Sequence, residues 1–135
     1  MTRDSATVDT SPADVARSVF EAIFAGDLSL LDSHPGLAAL KHAFPSMLAA
    51  FPDFSAELKQ QLVEGDRVAL QWIFRGTHRG PFYGVEPTGK PVEFQNLSIS
   101  RVVDGRIVSY NSEIGALRLL TQIGALPIKP ESTPR

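Results

Sequence analysis

Apolar side chains recur every three or four residues from Ala16 to Phe51 and every second residue from Phe54 to Ile114. The first period suits a helix with one buried stripe, the second a strand with one buried face. SPADVARSVFEAIFAGD predicts a helix over 12–25. Ser11 is placed to cap it, Pro12 takes the first helical position, and Asp14 lies in the first turn. Ala16, Val19, Phe20, Ile23 and Phe24 form the stripe, and Gly26 is the stop. Asp27 can cap a short second helix over LSLLDS, which His34-Pro35-Gly36 breaks. A third helix is expected over 36–51, with Leu37, Leu40, Phe44, Met47, Leu48 and Phe51 inward. Pro45 should kink it, because its ring removes a backbone hydrogen bond.

Strands are predicted over Phe54–Val63, Arg67–Arg75, Val92–Val103 and Arg106–Ile114, with turns at Glu64-Gly65-Asp66 and Asp104-Gly105. Val68, Leu70, Trp72 and Phe74 share one face of the second strand. GALRLLTQIG reads as a short closing helix that Gly124 stops. Residues 1–10 read as a disordered arm, 11–126 as a single domain, and 127–135 as a loose tail. Helices first and an antiparallel meander afterwards make an α+β domain.

Between the second and third strands lies GTHRGPFYGVEPTGKP, from Gly76 to Pro91. A phosphate-binding loop needs Gly-Lys followed by Ser or Thr at the start of a helix. Here Gly89-Lys90 meets Pro91 and a strand, so the segment is a proline-stiffened crossing. Phe82 and Tyr83 in it are expected to pack on a rim or a partner.

Composition narrows the function classes. A length of 135 residues with net charge −2 offers no basic field for nucleic acid or an anionic membrane. The absence of cysteine removes disulfides and thiolate chemistry and fits a cytoplasmic location. MTRDSATVDTSP has no apolar run of a signal peptide, and no stretch approaches the ~20 apolar residues of a membrane span. His34, His42 and His78 lack metal-ligand spacing, and no G-x-S-x-G is present. His34 reads as structural. His78 is a substrate contact, a surface histidine or a turn brace.

Alternation places Phe94, Asn96, Ser98 and Ser100 on one face of the third strand, and Val108, Tyr110, Ser112 and Ile114 on one face of the fourth. A three-residue turn over Val103–Gly105 brings the two sets together. A two-residue Asp-Gly turn would instead pair Ser98 with Asn111 and Asn96 with Glu113. Trp72 and Phe94 should share the concave surface. Arg101 and Glu113 fall on the other face, where they are expected to form an ion pair.

AFPDF, EGDRVALQW, GTHRGPFYGVEPTGKP, RVVDGRI and LLTQIG, in that order, resemble the SnoaL-like polyketide cyclases of the nuclear transport factor two-like superfamily. The resemblance covers residues 12–126 or so and departs from the family at DSHPGLAAL, where members usually carry a longer stretch. It implies helices on a strongly curved antiparallel sheet, a cone around an apolar pocket. It also implies dimers through the sheet and no metal or organic cofactor. In the cyclase branch an aspartate ten residues before the motif glutamine acts as base, and a histidine three residues before the motif arginine assists it. Those positions here are Ser112 and Ser98, with Asn96 two residues earlier. Serine without a neighbouring base does not deprotonate a carbon acid near neutral pH. A second branch, implicated in ring hydroxylation, also lacks the aspartate.

The expectation is therefore a cofactor-free tailoring enzyme, hydroxylating a polycyclic aromatic polyketide in antibiotic biosynthesis. Asn96, Ser98, Tyr110 and Ser112 would stabilise the substrate anion. Phe20, Phe24, His42, Phe44, Trp72, His78, Phe82, Tyr83 and Phe94 would bind the rings. A homodimer would cover Ile73, Leu97 and Ile99 on the opposite face, and a separate reductase could supply electrons. The alternatives are an aldol cyclase with a relocated base, Glu113 or His42, and a non-catalytic small-molecule binder.

Overall fold

The computed structural model describes residues 11–126; the arm expected at 1–10 and the tail expected at 127–135 lie outside them. Helix α1 (Pro12–Phe24) is followed by 3-10 turns at Leu28–Asp32 and Pro35–Leu37, then α2 (Leu40–Ala50). Strands β1 (Ser55–Glu64), β2 (Arg67–Thr77), β3 (Pro91–Val103) and β4 (Arg106–Ile114) form one antiparallel sheet in chain order, and α3 (Ala116–Gln122) closes the fold.

Helix α1 begins as expected, with Ser11 Oγ accepting from the Asp14 amide at 3.2 Å. Its stripe is buried against the sheet, with Ala16, Phe20 and Ile23 at 1% exposure or less. Helix α2 starts later than the hydrophobic pattern implied, and Pro45 sits inside it without ending it. The delay has a packing cause. The Pro35–Leu37 turn is pressed onto β4, where a Cβ on Gly36 would come within 2.6 Å of the Ser109 nitrogen. His34, buried beside this turn, accepts the Ile107 amide on Nδ1 at 3.0 Å. Burial, and then the charge of Arg106, hold its pKa below the usual histidine value. The structural reading of His34 therefore stands.

The β3–β4 hairpin corrects the expected turn. Val103 pairs with Arg106 across a two-residue turn. Asp104 and Gly105 have φ of 52° and 76°, the left-handed pair that the tightest hairpin turn requires. One residue later Val108 bulges out, because Val102 faces Ile107 whereas Arg101 faces Ser109. The bulge restores the register expected of the longer turn: Ser98 opposes Ser112 and Ser100 opposes Tyr110. Val108 is thereby 38% exposed, contrary to its assigned face, and Ile107 is buried in its place. A second irregularity at Lys59 shifts β1 against β2. Bulges of this kind bend and twist a sheet, which lets it curl over α1.

The glutamine of LLTQIG has a visible task. Gln122 Oε1 accepts the Glu93 amide and its Nε2 donates to the Glu93 carbonyl, both at 2.8 Å, tying α3 to the start of β3. On the outer face Gln60, Gln71 and Gln95 form an amide ladder at 2.9 and 3.0 Å. Arg75 bridges Glu57 and Glu93 at 2.9 and 3.1 Å. Arg101 pairs with Asp66 at 2.8 Å, not with Glu113 as expected. The register explains this: Arg101 opposes Ser109, so Glu113 lies four strand positions away, about 13 Å.

Candidate active site

Under the curl of the sheet lies a cavity of about 520 Å³. Helix α1 contributes Phe24, and α2 contributes Leu40, Ala43, Phe44, Ser46 and Met47. Phe74 on β2 and Ile114 on β4 complete the apolar wall, and Pro81, Phe82 and Tyr83 form the lip. Its polar groups on the sheet are Asn96 from β3 and Tyr110 and Ser112 from β4. No charged side chain lines it among the described residues.

Each wall follows from local sequence. The i, i+4 spacing of Leu40, Phe44 and Leu48 turns one face of α2 toward the sheet. Phe24 is the hub, with ring centroids 5.0 Å from Trp72, 5.0 Å from Phe74 and 5.6 Å from Phe44. The lip is fixed at its base, since the Arg79 and Gly80 amides donate to the Ala50 carbonyl at 2.9 and 3.1 Å. A Cβ on Gly80 would lie 2.3 Å from the Ala49 oxygen, so only glycine allows that approach. Phe82 and Tyr83 stack at 4.5 Å, with Phe82 buried and Tyr83 67% exposed at a positive φ of 49°.

Burial raises the Tyr110 pKa above the usual phenol value, and the neighbouring Ser112 and Asn96 side chains oppose the rise. The phenol is a neutral hydrogen-bond donor at physiological pH. The polar groups continue inward beyond the cavity wall. Asn96, Ser98 and Ser100 are 3%, 5% and 1% exposed, and Asn96 Oδ1, Ser98 Oγ, Ser100 Oγ and Trp72 Nε1 have no hydrogen-bond partner. A buried polar atom without a partner costs ~1–3 kcal/mol, so four on one face are a large departure from ordinary cores.

The structure brings together Phe24, Phe44, Phe82, Tyr83, Asn96, Tyr110 and Ser112 from the sequence-predicted set. Phe20, Trp72, Phe94 and Ser98 are buried in the wall behind the cavity rather than in its lining. Two expected contacts are corrected. His42 is exposed on α2, off the stripe of Leu40, Phe44 and Met47, and does not line the cavity. His78 is fully buried as a loop brace: its Nδ1 lies 2.9 Å from Thr88 Oγ1 and 3.2 Å from the Thr88 amide. Its ring packs on Phe51 at 5.9 Å, away from the cavity lining. The relocated-base candidate Glu113 is exposed on the outer side of the sheet, opposite Leu97. Phe74, Met47 and Pro81 were missed as site residues, although the alternation of β2 and the spacing of α2 had already turned Phe74 and Met47 inward. No group of three or more acidic, histidine or cysteine side chains that could hold a metal ion occurs among the described residues.

Helices over one side of a curled antiparallel sheet, with a cavity between, define the cone of the nuclear transport factor two-like class. Within that class the chain belongs to the SnoaL-like polyketide cyclase family, whose profile matches residues 5–123. Among solved structures, AclR from Streptomyces galilaeus, a candidate hydroxylase, is 32% identical with a TM-score of 0.80, over 89% of this chain and 85% of that one. IdmH from Streptomyces antibioticus, a candidate polyketide cyclase, is 31% identical with a TM-score of 0.74, over 84% and 99% of the two chains. TsrD from Streptomyces laurentii shares the fold, at 24% identity and a TM-score of 0.74 over 93% and 99% of the two chains. No curated protein matches the sequence.

Proposed function

We propose that this chain hydroxylates a polycyclic aromatic polyketide in antibiotic biosynthesis. One observation carries the reading: the cavity is walled by aromatic and aliphatic side chains, and its sheet side offers an amide, a phenol and a hydroxyl but no carboxylate or imidazole among the described residues. Such groups hold an anion and are poor bases at neutral pH. The likeness to AclR supports the same reading. Asn96, Tyr110 and Ser112 bind the phenolic oxygen and stabilise its anion, which makes the ring electron-rich toward dioxygen. One oxygen atom enters the ring and the other leaves as water. The two electrons this requires come from a separate reductase. Phe24, Phe44, Phe82 and Tyr83 hold the ring system.

The aldol-cyclase reading needs a base within about 3 Å of the carbon acid. Neither Glu113 nor His42 lies in the cavity lining, so the site supplies none from those candidates.

The outer sheet face supports a homodimer. Leu62, Leu97 and Ile99 are 66%, 46% and 54% exposed there, around a shallow hollow of about 510 Å³. Isolated monomers rarely leave so much contiguous apolar surface in water.

The test is turnover by the purified chain of a polycyclic phenol under air, with and without a reductase, beside an aldol-cyclase assay on an aromatic polyketide ester. The reading expects a hydroxylated product and no cyclisation. Efficient cyclisation would overturn it, and binding without turnover in either assay would leave a carrier.

A further inference from the structure

Phe24 borders two spaces at once. One is the cavity under the sheet. The other is a hollow of about 330 Å³ on the β1 side, walled by Phe54, Ala56, Leu58 and Trp72 and bordered by the exposed Glu21 and Ser55. Among the described residues Phe24 is the one that both linings share. Its ring is held between two sets of neighbours. Phe44 and Phe74, at 5.6 and 5.0 Å, line the cavity. Trp72 and Phe54, at 5.0 and 6.1 Å, line the hollow. The buried Phe24 ring is thus a partition one residue thick.

Sheet order sets the direction in which this matters. The sheet runs β1-β2-β3-β4. The polar groups of the cavity lie on β3 and β4, and the hollow lies against β1 and β2. Adjacent strands are ~4.8 Å apart. A flat ring system that sets its oxygen on Asn96, Tyr110 or Ser112 and extends across the strands advances toward Phe24, which packs on β2 through Trp72 and Phe74.

We propose that Phe24 is the specificity-determining end wall of the cavity. It limits the length of the ligand and excludes a chain carried at the end remote from the phenol. The space behind it suits an alkyl group, because Phe54, Ala56, Leu58 and Trp72 carry no charge. The side chain at position 24 decides whether that space belongs to the ligand. A smaller or more flexible residue there joins the two. This rests on the reading of the cavity as a binder of polycyclic phenols and adds which residue sets their length.

The experiment measures by calorimetry the affinity of the full chain for 2-hydroxyanthraquinone and for 6-butyl-2-hydroxyanthraquinone, whose chain lies at the far end of the rings from the hydroxyl. The wild type should not favour the butyl compound. Phe24→Leu should shift the preference toward it by about tenfold, the gain of burying roughly two methylenes. Phe24→Met should do the same, and its flexible side chain keeps the core filled if the leucine variant fails to fold. Ala56→Phe fills the hollow from β1. It should leave both wild-type affinities unchanged and cancel the gain in Phe24→Leu. An unshifted preference in the Phe24 variants overturns the end wall, with the chain leaving by the lip instead. A gain that survives Ala56→Phe overturns the hollow as its place. A wild type that favours the butyl compound overturns the proposal even if neither Phe24 variant folds. Binding of neither quinone by the wild type overturns the cavity reading and the end wall together.

Discussion

The two faces of β3 treat polar groups in opposite ways. Outward, Glu93 meets Arg75, Gln95 meets Gln71 and Arg101 meets Asp66, all within 3.1 Å and all in contact with water. Inward, Asn96, Ser98 and Ser100 are buried, and each has a polar atom without a partner. Ordinary proteins do the reverse: buried polar groups are satisfied and exposed ones are left to solvent. Of these three, Asn96 lines the cavity, whereas Ser98 and Ser100 lie behind its wall. The outward pairs contribute little, because exposed ion pairs are worth ~0–1 kcal/mol. The sheet thus carries exposed, paired polar groups and apolar side chains on one face, and the cavity on the other.

Substitutions on the two faces should separate these roles. The largest effect is expected at the inner hub. Phe24→Ala should lower the unfolding free energy by ~3–5 kcal/mol in urea denaturation, the cost of removing a core ring. A loss below 1 kcal/mol would mean that the rings beside Phe24 refill its place. Next, the proposed homodimer predicts a dimeric wild type in sedimentation at tens of micromolar and a monomeric Ile99→Lys variant. An unchanged mass would show that this face is not the interface.

His34 gives a pH test at the seam where the Pro35–Leu37 turn meets β4. Its pKa is lowered in the fold, so the unfolded chain binds the proton more readily. Its contribution is fully present above the unfolded value, ~6.5, and is lost as pH falls toward the lower folded value. His34→Gln should flatten the stability profile just below that pH. A variant profile as steep as the wild type would assign the acid loss to other groups. The smallest effects sharpen the contrast most. Arg75→Ala should cost under ~1 kcal/mol. Ser100→Ala should cost nothing or raise Tm, since it removes a buried hydroxyl that has no partner. A clear loss of stability in Ser100→Ala would show that its hydroxyl is satisfied after all.

Much of this was legible in the sequence. Alternation on β2 and β3 put Trp72, Phe94 and Asn96 on the buried face, and the spacing in α1 and α2 turned Phe24 and Phe44 inward. The ordered motifs identified the family. The hairpin shows why details escaped: an Asp-Gly turn and a bulge at Val108 together give the register of a longer turn. Periodicity alone cannot tell those routes apart, so Val108 and Ile107 were exchanged. His78 escaped because its neighbours come from across the loop, at Thr88 and Phe51, and no local pattern encodes them. The Arg101–Asp66 pair joins residues 35 apart in sequence and depends on register in the same way.

The central claim is that the polar groups of the cavity, Asn96, Tyr110 and Ser112, act on a ligand as anion-holding donors. Its most direct test is turnover of a polycyclic phenol, with dioxygen and a reductase, by the wild type and by the Asn96→Ala, Ser112→Ala double variant. The account expects hydroxylation by the wild type and at least a ~10²-fold loss of kcat in the double variant, the scale of removing one anion-stabilising donor, with Kd for the ring system changed far less. Undiminished turnover in the double variant would contradict it, because the polar side of the cavity would then be idle.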